Sequence, residues 1–332
     1  MNKGIAIAGN LIVDYIKYIE KYPAEQTLTT ITGVERSTGG LCCNCVLTLA
    51  KLDPHLPIKA IGVVGEDELG DYLINELDIH LSVDISRILR KGATSYTDVM
   101  TDCGNSKRTF FHFRGSNALL SPGNFDFDVL DADILHIGYI LLLDSLDAPD
   151  NEYPTSICRV LDAAQKAGIK TSIDVVSEDG TRFTTIVPPA LQYVDYCCIN
   201  EHEASGITGI PLRNENGIVI EGNLKTACDE LLNMGVCRWA IIHMPELSCG
   251  IEREGMFHRA DSWRIPDGFK LSSVGAGDAY CSGILYGAYN GWSLAESMHV
   301  AGAVAAYSLS GAGAASVIKP LDEILDEMKR YQ

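Results

Sequence analysis

Short apolar runs alternate with longer amphipathic ones along most of this chain. Segments 5–8, 58–64, 134–137, 171–173, 196–199 and 239–242 are brief, rich in apolar and β-branched residues, and read as buried strands. Between them the apolar positions take a helical period. Leu224, Ala227, Cys228, Leu231 and Leu232 fall at i, i+3, i+4, i+7 and i+8, and Gly235 follows as a C-terminal stop. Ile157, Val160, Leu161 and Ala164 repeat the pattern, with Gly168 as the stop. Strands alternating with helices predict an α/β fold whose largely parallel central sheet carries helices on both faces. Ligands of such sheets bind outside the carboxyl ends of the strands, which is where Asp174 and Asn200 are expected.

Two stretches break the alternation. Residues 15–37, polar and β-branched at 27–32, read as extended strands with no helix between them. So do residues 93–114, with Tyr96, Thr97, Val99, Thr109, Phe110, Phe111 and Phe113. The three phenylalanines in a short polar-flanked run favour burial against a second element or a partner. No internal repeat and no low-complexity linker divides the chain, so one domain over residues 1–332 is expected.

Composition narrows the picture. A chain of 332 residues, 46% of them hydrophobic, can bury a large core. No apolar run approaches the roughly 18 residues that span a bilayer, and Met1-Asn2-Lys3 opens no signal-peptide pattern, so a cytoplasmic enzyme without membrane contact is expected. The 11 cysteines then read as reduced, mostly buried small residues. Cys42, Cys43 and Cys45 point in different directions from one helix, and no second Cys/His group has zinc spacing, so core packing is the reading. A formal net charge of −18 argues against nucleic acid as a partner. It also means that any anionic ligand must be captured locally, by backbone dipoles and a divalent cation.

The segment Ser272-Ser273-Val274-Gly275-Ala276-Gly277-Asp278 opens into an apolar-periodic run, residues 279–289. Its glycines let backbone N–H groups converge at a helix N-terminus, which stabilises an anion. Asp278 at the rim would repel that anion. It makes sense if it faces a hydroxyl about to attack a phosphate. Anion hole plus adjacent base is the minimum apparatus for phosphoryl transfer to an alcohol.

These residues carry a resemblance. Gly275-Ala276-Gly277-Asp278 resembles the C-terminal signature D-T-x-G-A-G-D of the ribokinase-like (PfkB) carbohydrate kinases, with Ser272 and Ser273 in place of its first two residues. Ser37-Thr38-Gly39-Gly40 followed by Asn44 resembles the N-terminal signature. Between them lie Gly9-Asn10 with Asp14, the stretch Gly62 to Asp67 with Gly70, and Asn200-Glu201-His202-Glu203, in the family's order. The resemblance implies ATP and Mg²⁺ as cofactors and a sugar or sugar acid as substrate. Asp278 would be the base, and the amides of Gly275, Ala276 and Gly277 the anion hole. Asp14, Gly39, Gly40 and Asn44 would bind the sugar, and Arg114 a carboxylate on it. Asn200 and Glu203 would help hold Mg²⁺ and the phosphates through water. Residues 15–37 and 93–114 would form a β lid that also makes a homodimer.

Two departures bear on these expectations. His243-Met244-Pro245 stands where the family places a Thr and a Gly, so the nucleotide-side loop is rebuilt, with His243 facing a phosphate or the ribose. Many relatives use a monovalent cation beside the anion hole, and Ser272 removes a carboxylate from that site. The serine hydroxyls are expected to hold the loop on backbone groups instead, unless carbonyls of residues 311–316 complete a cation site. A nucleoside kinase of the same superfamily and a sugar-binding regulator without turnover are the alternatives. The chain has neither G-x-x-x-x-G-K-[ST] nor a G-x-G-x-x-G dinucleotide fingerprint.

Overall fold

The computed structural model describes residues 3–105, 107–178, 180–311 and 313–332. Met1 and Asn2, read above for a targeting pattern, and Ala312, in the stretch considered for cation binding, lie outside the described residues. In chain order the elements are β1 (Ile5–Gly9), β2 (Ile12–Ile19), β3 (Ile31–Gly39), α1 (Leu41–Leu52), β4 (Ile58–Val64), α2 (Glu68–Asp78), β5 (Val83–Arg90), β6 (Ser95–Asp102) and β7 (Arg108–Phe113). Then come β8 (Ile134–Ile140), α3 (Asp144–Asp147), α4 (Ser156–Lys166), β9 (Lys170–Val175), α5 (Arg182–Leu191), β10 (Tyr196–Asn200), α6 (Glu201–Thr208), α7 (Glu221–Asn233) and β11 (Trp239–His243). The chain closes with β12 (Leu247–Glu252), β13 (Phe257–Asp261), α8 (Ala276–Asn290), α9 (Leu294–Ser308) and α10 (Leu321–Lys329). No helix among the described residues is long and apolar enough to cross a membrane.

The central sheet has the order β13-β12-β11-β10-β9-β8-β1-β4-β5. Its seven strands from β11 to β5 are parallel, and β12 and β13 add antiparallel to one edge. Each predicted strand is present, most of them a residue or more longer than the apolar run that announced them. Asp174 lies inside β9 rather than beyond it. Period-2 alternation feeds both faces: Ile5 and Ile7 join the core under α1, α8 and α9, while Ala6 and Ala8 join the core under α4 to α7. Gly168 takes φ 78° just after α4, as a left-handed helix stop requires.

From β1 the chain first adds β4 and β5 on one side and later adds β8 on the other. The crevice at the carboxyl ends of β1 and β8 is therefore a topological switch point, the usual ligand position in such sheets. Strands β2, β3, β6 and β7, from the two stretches that broke the alternation, form a separate four-stranded sheet of order β3-β2-β6-β7. Phe110, Phe111 and Phe113 on its edge strand β7 are 60%, 50% and 44% exposed, so the burial expected of them is not found within this chain.

Helices α8 and α9 pack with their backbones almost in contact. A Cβ on Gly283 would lie 2.5 Å from the Cα of Ala301, a position that cannot give way without moving a helix. Gly283→Ala should therefore destabilise the protein by about 1–3 kcal/mol despite the better helix propensity of alanine. A chemical-denaturation midpoint equal to or above wild type would show that the two helices can part at no cost.

Candidate active site

A cleft of about 1460 Å³ opens between the small sheet and the carboxyl ends of β8 to β11. Asp14, Gly40, Asn44, Arg114, Asn200, Glu203, His243, Gly275, Gly277 and Asp278 all line it. The fold thus brings together residues scattered over most of the sequence. Gly39 and Ala276 are not in its wall. Gly39 serves the site differently: a Cβ there would come within 2.1 Å of Asp14 Oδ2, so its bareness makes room for the carboxylate.

The glycine-rich segment ends as the N-terminus of α8, a helix of 15 residues whose first turn has no side-chain cap. Gly275 takes φ 74°, and a Cβ there would meet the Ala314 Cβ at 2.0 Å, so both conformation and space demand glycine. With no cap in place, the amides of Gly275 and Gly277 are available to an anion, while the Ala276 N–H makes a long turn bond to the Ser273 carbonyl at 3.4 Å. Ser272 Oγ accepts the Val274 N–H at 3.1 Å, which ties the loop to itself as expected. It also accepts Arg108 Nη2 from β7 at 3.1 Å. Sequence reasoning missed Arg108. Among the described residues it has no carboxylate partner, which its place at the start of an aromatic-rich strand gave no way to foresee.

Asp278 is 3% exposed. Its Oδ2 accepts Asn44 Nδ2 at 2.6 Å and its Oδ1 accepts the Tyr139 hydroxyl at 2.8 Å. Burial pushes this carboxyl above its usual range, and the Asn44 and Tyr139 hydrogen bonds pull the other way. Tyr139 is also new to the account. It lies one residue before the end of β8, and its backbone N–H donates to Asn10 Oδ1 at 3.1 Å. Asn10, fully buried, so positions the tyrosine from the neighbouring strand end.

Asn44 lines the cleft, and its Oδ1 is buried with no hydrogen-bond partner among the described residues. Nearby, Asp14 is pushed up to about 6 by burial and by the charge of Asp278, against a hydrogen bond from Thr97. Arg114 is engaged: its Nη1 meets Asp144 Oδ1 at 2.6 Å and the Leu141 carbonyl at 3.2 Å. A carboxylate-bearing ligand would share the guanidinium with Asp144, through the Nη2 and Nε donors that these two contacts leave free.

At the other end, Asn200 and Glu203 form a capping box on α6, with Glu203 Oε2 accepting the Asn200 N–H at 2.9 Å. Glu203 Oε1 accepts Ser177 Oγ at 2.8 Å and Asn200 Nδ2 at 2.6 Å. Burial raises Glu203 to about 7, against those hydrogen bonds. Asp174, 6% exposed, is raised well above the carboxylate range by burial and then by the charges of Glu203 and Asp278. Among the described residues no three carboxylates come close enough to chelate one ion directly. A divalent cation fits this end only as a hydrated ion, drawn by three mutually repelling acids. His243, at the end of β11, is held neutral by burial, its pKa near 4, and packs on Tyr280 with ring centroids 5.1 Å apart.

Residues 2–320 match the pfkB family carbohydrate kinase description. The ribokinase of Arabidopsis thaliana is 25% identical over 332 residues, covering 98% of this chain and 81% of the relative. A solved structure of Arabidopsis thaliana ribokinase complexed with ribose and ATP is similar with a TM-score of 0.79, at 22% identity and 99% coverage of both chains. The Burkholderia thailandensis nucleoside kinase in complex with inosine gives 0.72 at 16% identity, with 98% of each chain covered.

Tyr139→Phe removes a donor that serves the ionised form of Asp278. At neutral pH this should cost about 1.5–3 kcal/mol of stability, the worth of a hydrogen bond to a charged group. In acid, where the carboxyl is protonated, the gap should narrow. Denaturation midpoints compared at the two pH values test this, and a pH-independent gap would show that the hydroxyl acts only through packing.

Proposed function

The chain belongs to the pfkB family of carbohydrate kinases, and on that premise we propose that it transfers phosphate from ATP, with Mg²⁺, to a hydroxyl of a sugar or sugar acid. The observation that carries the reading is the buried Asp278 carboxylate beside an uncapped helix N-terminus. The substrate hydroxyl lies against Asp278 and donates to the unpartnered Asn44 Oδ1 or to Asp278 itself. Asp14 and the Gly40 backbone hold further hydroxyls. The γ-phosphate rests on the amides of Gly275, Ala276 and Gly277. As the hydroxyl oxygen bonds to the γ-phosphorus, the bond to the β–γ bridging oxygen breaks, ADP leaves, and the hydroxyl proton passes to Asp278. An unperturbed aspartate has a pKa near 3.9, so it cannot deprotonate an alcohol in advance, and proton transfer comes late in a loose transition state.

Mg²⁺ on the phosphates neutralises their charge; Asp174, Glu203 and Asn200 would hold it through water. His243 walls the nucleotide side as a neutral ring. Arg108 adds positive charge beside the transferred phosphate and, through Ser272, ties the small sheet to the anion loop. The same contact supports weak dependence on K⁺, since the loop is held by a hydroxyl and a guanidinium without an alkali ion.

The test is an ADP-release screen over sugars, sugar acids and nucleosides. A sugar or sugar acid should give the highest turnover, and Asp278→Asn should lower it roughly 10²–10⁴-fold with little change in substrate affinity. Wild-type turnover in Asp278→Asn would remove the central claim, and a nucleoside as best substrate would move the chain to the alternative class. If Arg114 selects a carboxylate against the competition of Asp144, Arg114→Ala should abolish a sugar-acid preference and spare neutral sugars.

We also propose that the small sheet makes a homodimer. Its edge strand carries Phe110, Phe111 and Phe113 half-exposed, and Val34 on β3 is 59% exposed. Light scattering should give twice the chain mass for wild type and the single mass for Phe111→Asp. A wild-type monomer at micromolar concentration would refute this.

A further inference from the structure

Three ligand atoms meet in the core behind Asp278. Cys45 on α1, His136 on β8 and Cys281 on α8 are 0%, 0% and 1% exposed, and their ligand atoms all lie within 4.8 Å of one another. Cys281 Sγ is 3.8 Å from His136 Nε2. The other ring nitrogen, Nδ1, is 2.9 Å from Ser172 Oγ, so the imidazole is pinned with Nε2 towards the sulfurs. Pinning the distal nitrogen is how proteins orient a metal-binding histidine. Ligands on one tetrahedral zinc-like ion stand about 3.5–3.8 Å apart, so the three atoms need only small adjustments to share one.

We propose that Cys45, His136 and Cys281 form a buried site for a thiophilic d¹⁰ cation, Zn²⁺ or Cd²⁺ in kind, whose occupancy is felt at Asp278. Thiolate and imidazole select such ions over Mg²⁺. The charges balance: two S–H bonds break, both protons go to solvent, and two metal–sulfur bonds and one metal–nitrogen bond form. Two thiolates, a neutral imidazole and a divalent cation sum to zero, which an apolar interior tolerates. Cys198 is hydrogen-bonded to Cys281 and adjoins the cluster.

The coupling follows from the elements. Cys45 adjoins Asn44, which donates to Asp278, and Cys45 Sγ itself reaches the Asp278 carbonyl at 3.5 Å. Cys281 is three residues after Asp278, and His136 is three residues before Tyr139. Drawing the three ligands together pulls on each element that positions the carboxylate. This consequence rests on the kinase reading above; the site does not.

The full chain, reduced and metal-free, carries Cys103→Ser and Cys237→Ser to remove the exposed thiols. It is titrated with Cd²⁺ under excess Mg²⁺, folded and again after refolding with the ion present. One equivalent should bind with an ultraviolet thiolate-to-cadmium absorption, and a ¹¹³Cd resonance should report two sulfurs and a nitrogen. The absorption should fall by at least half in Cys45→Ala and in Cys281→Ala, and persist in Cys228→Ala, whose Sγ lies 3.7 Å from Cys249 Sγ but which joins no three-ligand group among the described residues. Turnover should drop at least tenfold as the site fills. No bound equivalent under either loading, binding undiminished in Cys45→Ala and Cys281→Ala, or a sulfur-free ¹¹³Cd signal from wild type overturns the site. Full binding at unchanged turnover overturns its coupling to Asp278. A protein that lacks kinase turnover altogether fails the functional reading alone, and the absorption and resonance still decide the site.

Discussion

The structure is organised around one costly placement, the burial of the Asp278 carboxylate at the first turn of α8. A buried ionised acid persists only with hydrogen-bond donors, and the donors here come from far away in sequence. Asn44 is 234 residues distant and Tyr139 is 139. Each in turn is fixed by other parts of the fold: Asn44 by its place in the first turns of α1, Tyr139 by Asn10 at the adjoining strand end. Both donors favour the charged form while burial disfavours it, and the result is a carboxyl above its usual range. A carboxyl placed in this way accepts a proton more readily than a solvated aspartate.

The parallel sheet explains why so dispersed a set of residues forms one cleft. In the order β11, β10, β9, β8, β1, the strands present His243, Asn200, Asp174, Tyr139 and Asn10 at or near the same carboxyl edge. Asn200 is paired in register with His243, and Gly138 with Gly9. The edge has two ends of different character, one acidic and suited to a hydrated cation, one hydrogen-bonding and suited to hydroxyls. Because Asp14 and Glu203 bind protons more tightly folded than unfolded, ionising them costs stability as pH rises through about 6 and about 7 respectively.

The small sheet adds the wall that the central sheet lacks. It supplies Asp14, Thr97, His112 and Arg108 to the cleft, and the Arg108–Ser272 contact joins its edge strand to the anion loop. A serine stands where relatives of this family carry an acid. The hydroxyl accepts both a backbone N–H and a guanidinium, a pairing that also gives the loop a positive neighbour.

Local pattern was enough for much of this protein. Apolar periods 2 and 3.6 announced the strands, the helices and the parallel sheet, because those periods are imposed by the backbone geometry of each element. The glycine-rich turn before α8 was legible because an uncapped helix start with Gly275 in a left-handed conformation needs a residue that only glycine supplies cheaply. Asn44, Asp14, Asn200 and Glu203, which all line the cleft, were named through the resemblance of their segments to the family's motifs. Asp174 was placed at the ligand edge from its strand, while Tyr139 and Arg108 were not singled out, since nothing in their neighbours distinguishes them from other strand residues. The convergence of Cys45 with His136 and Cys281 was likewise invisible, because spacing within one helix says nothing of partners on another helix and a strand. The sequence by itself determined which segments would be strands, helices and glycine-rich turns. Which side chains would share a charge, a proton or an ion was decided only when the sheet order set distant strand ends side by side, because those interactions act over a few ångströms of space and not along the chain.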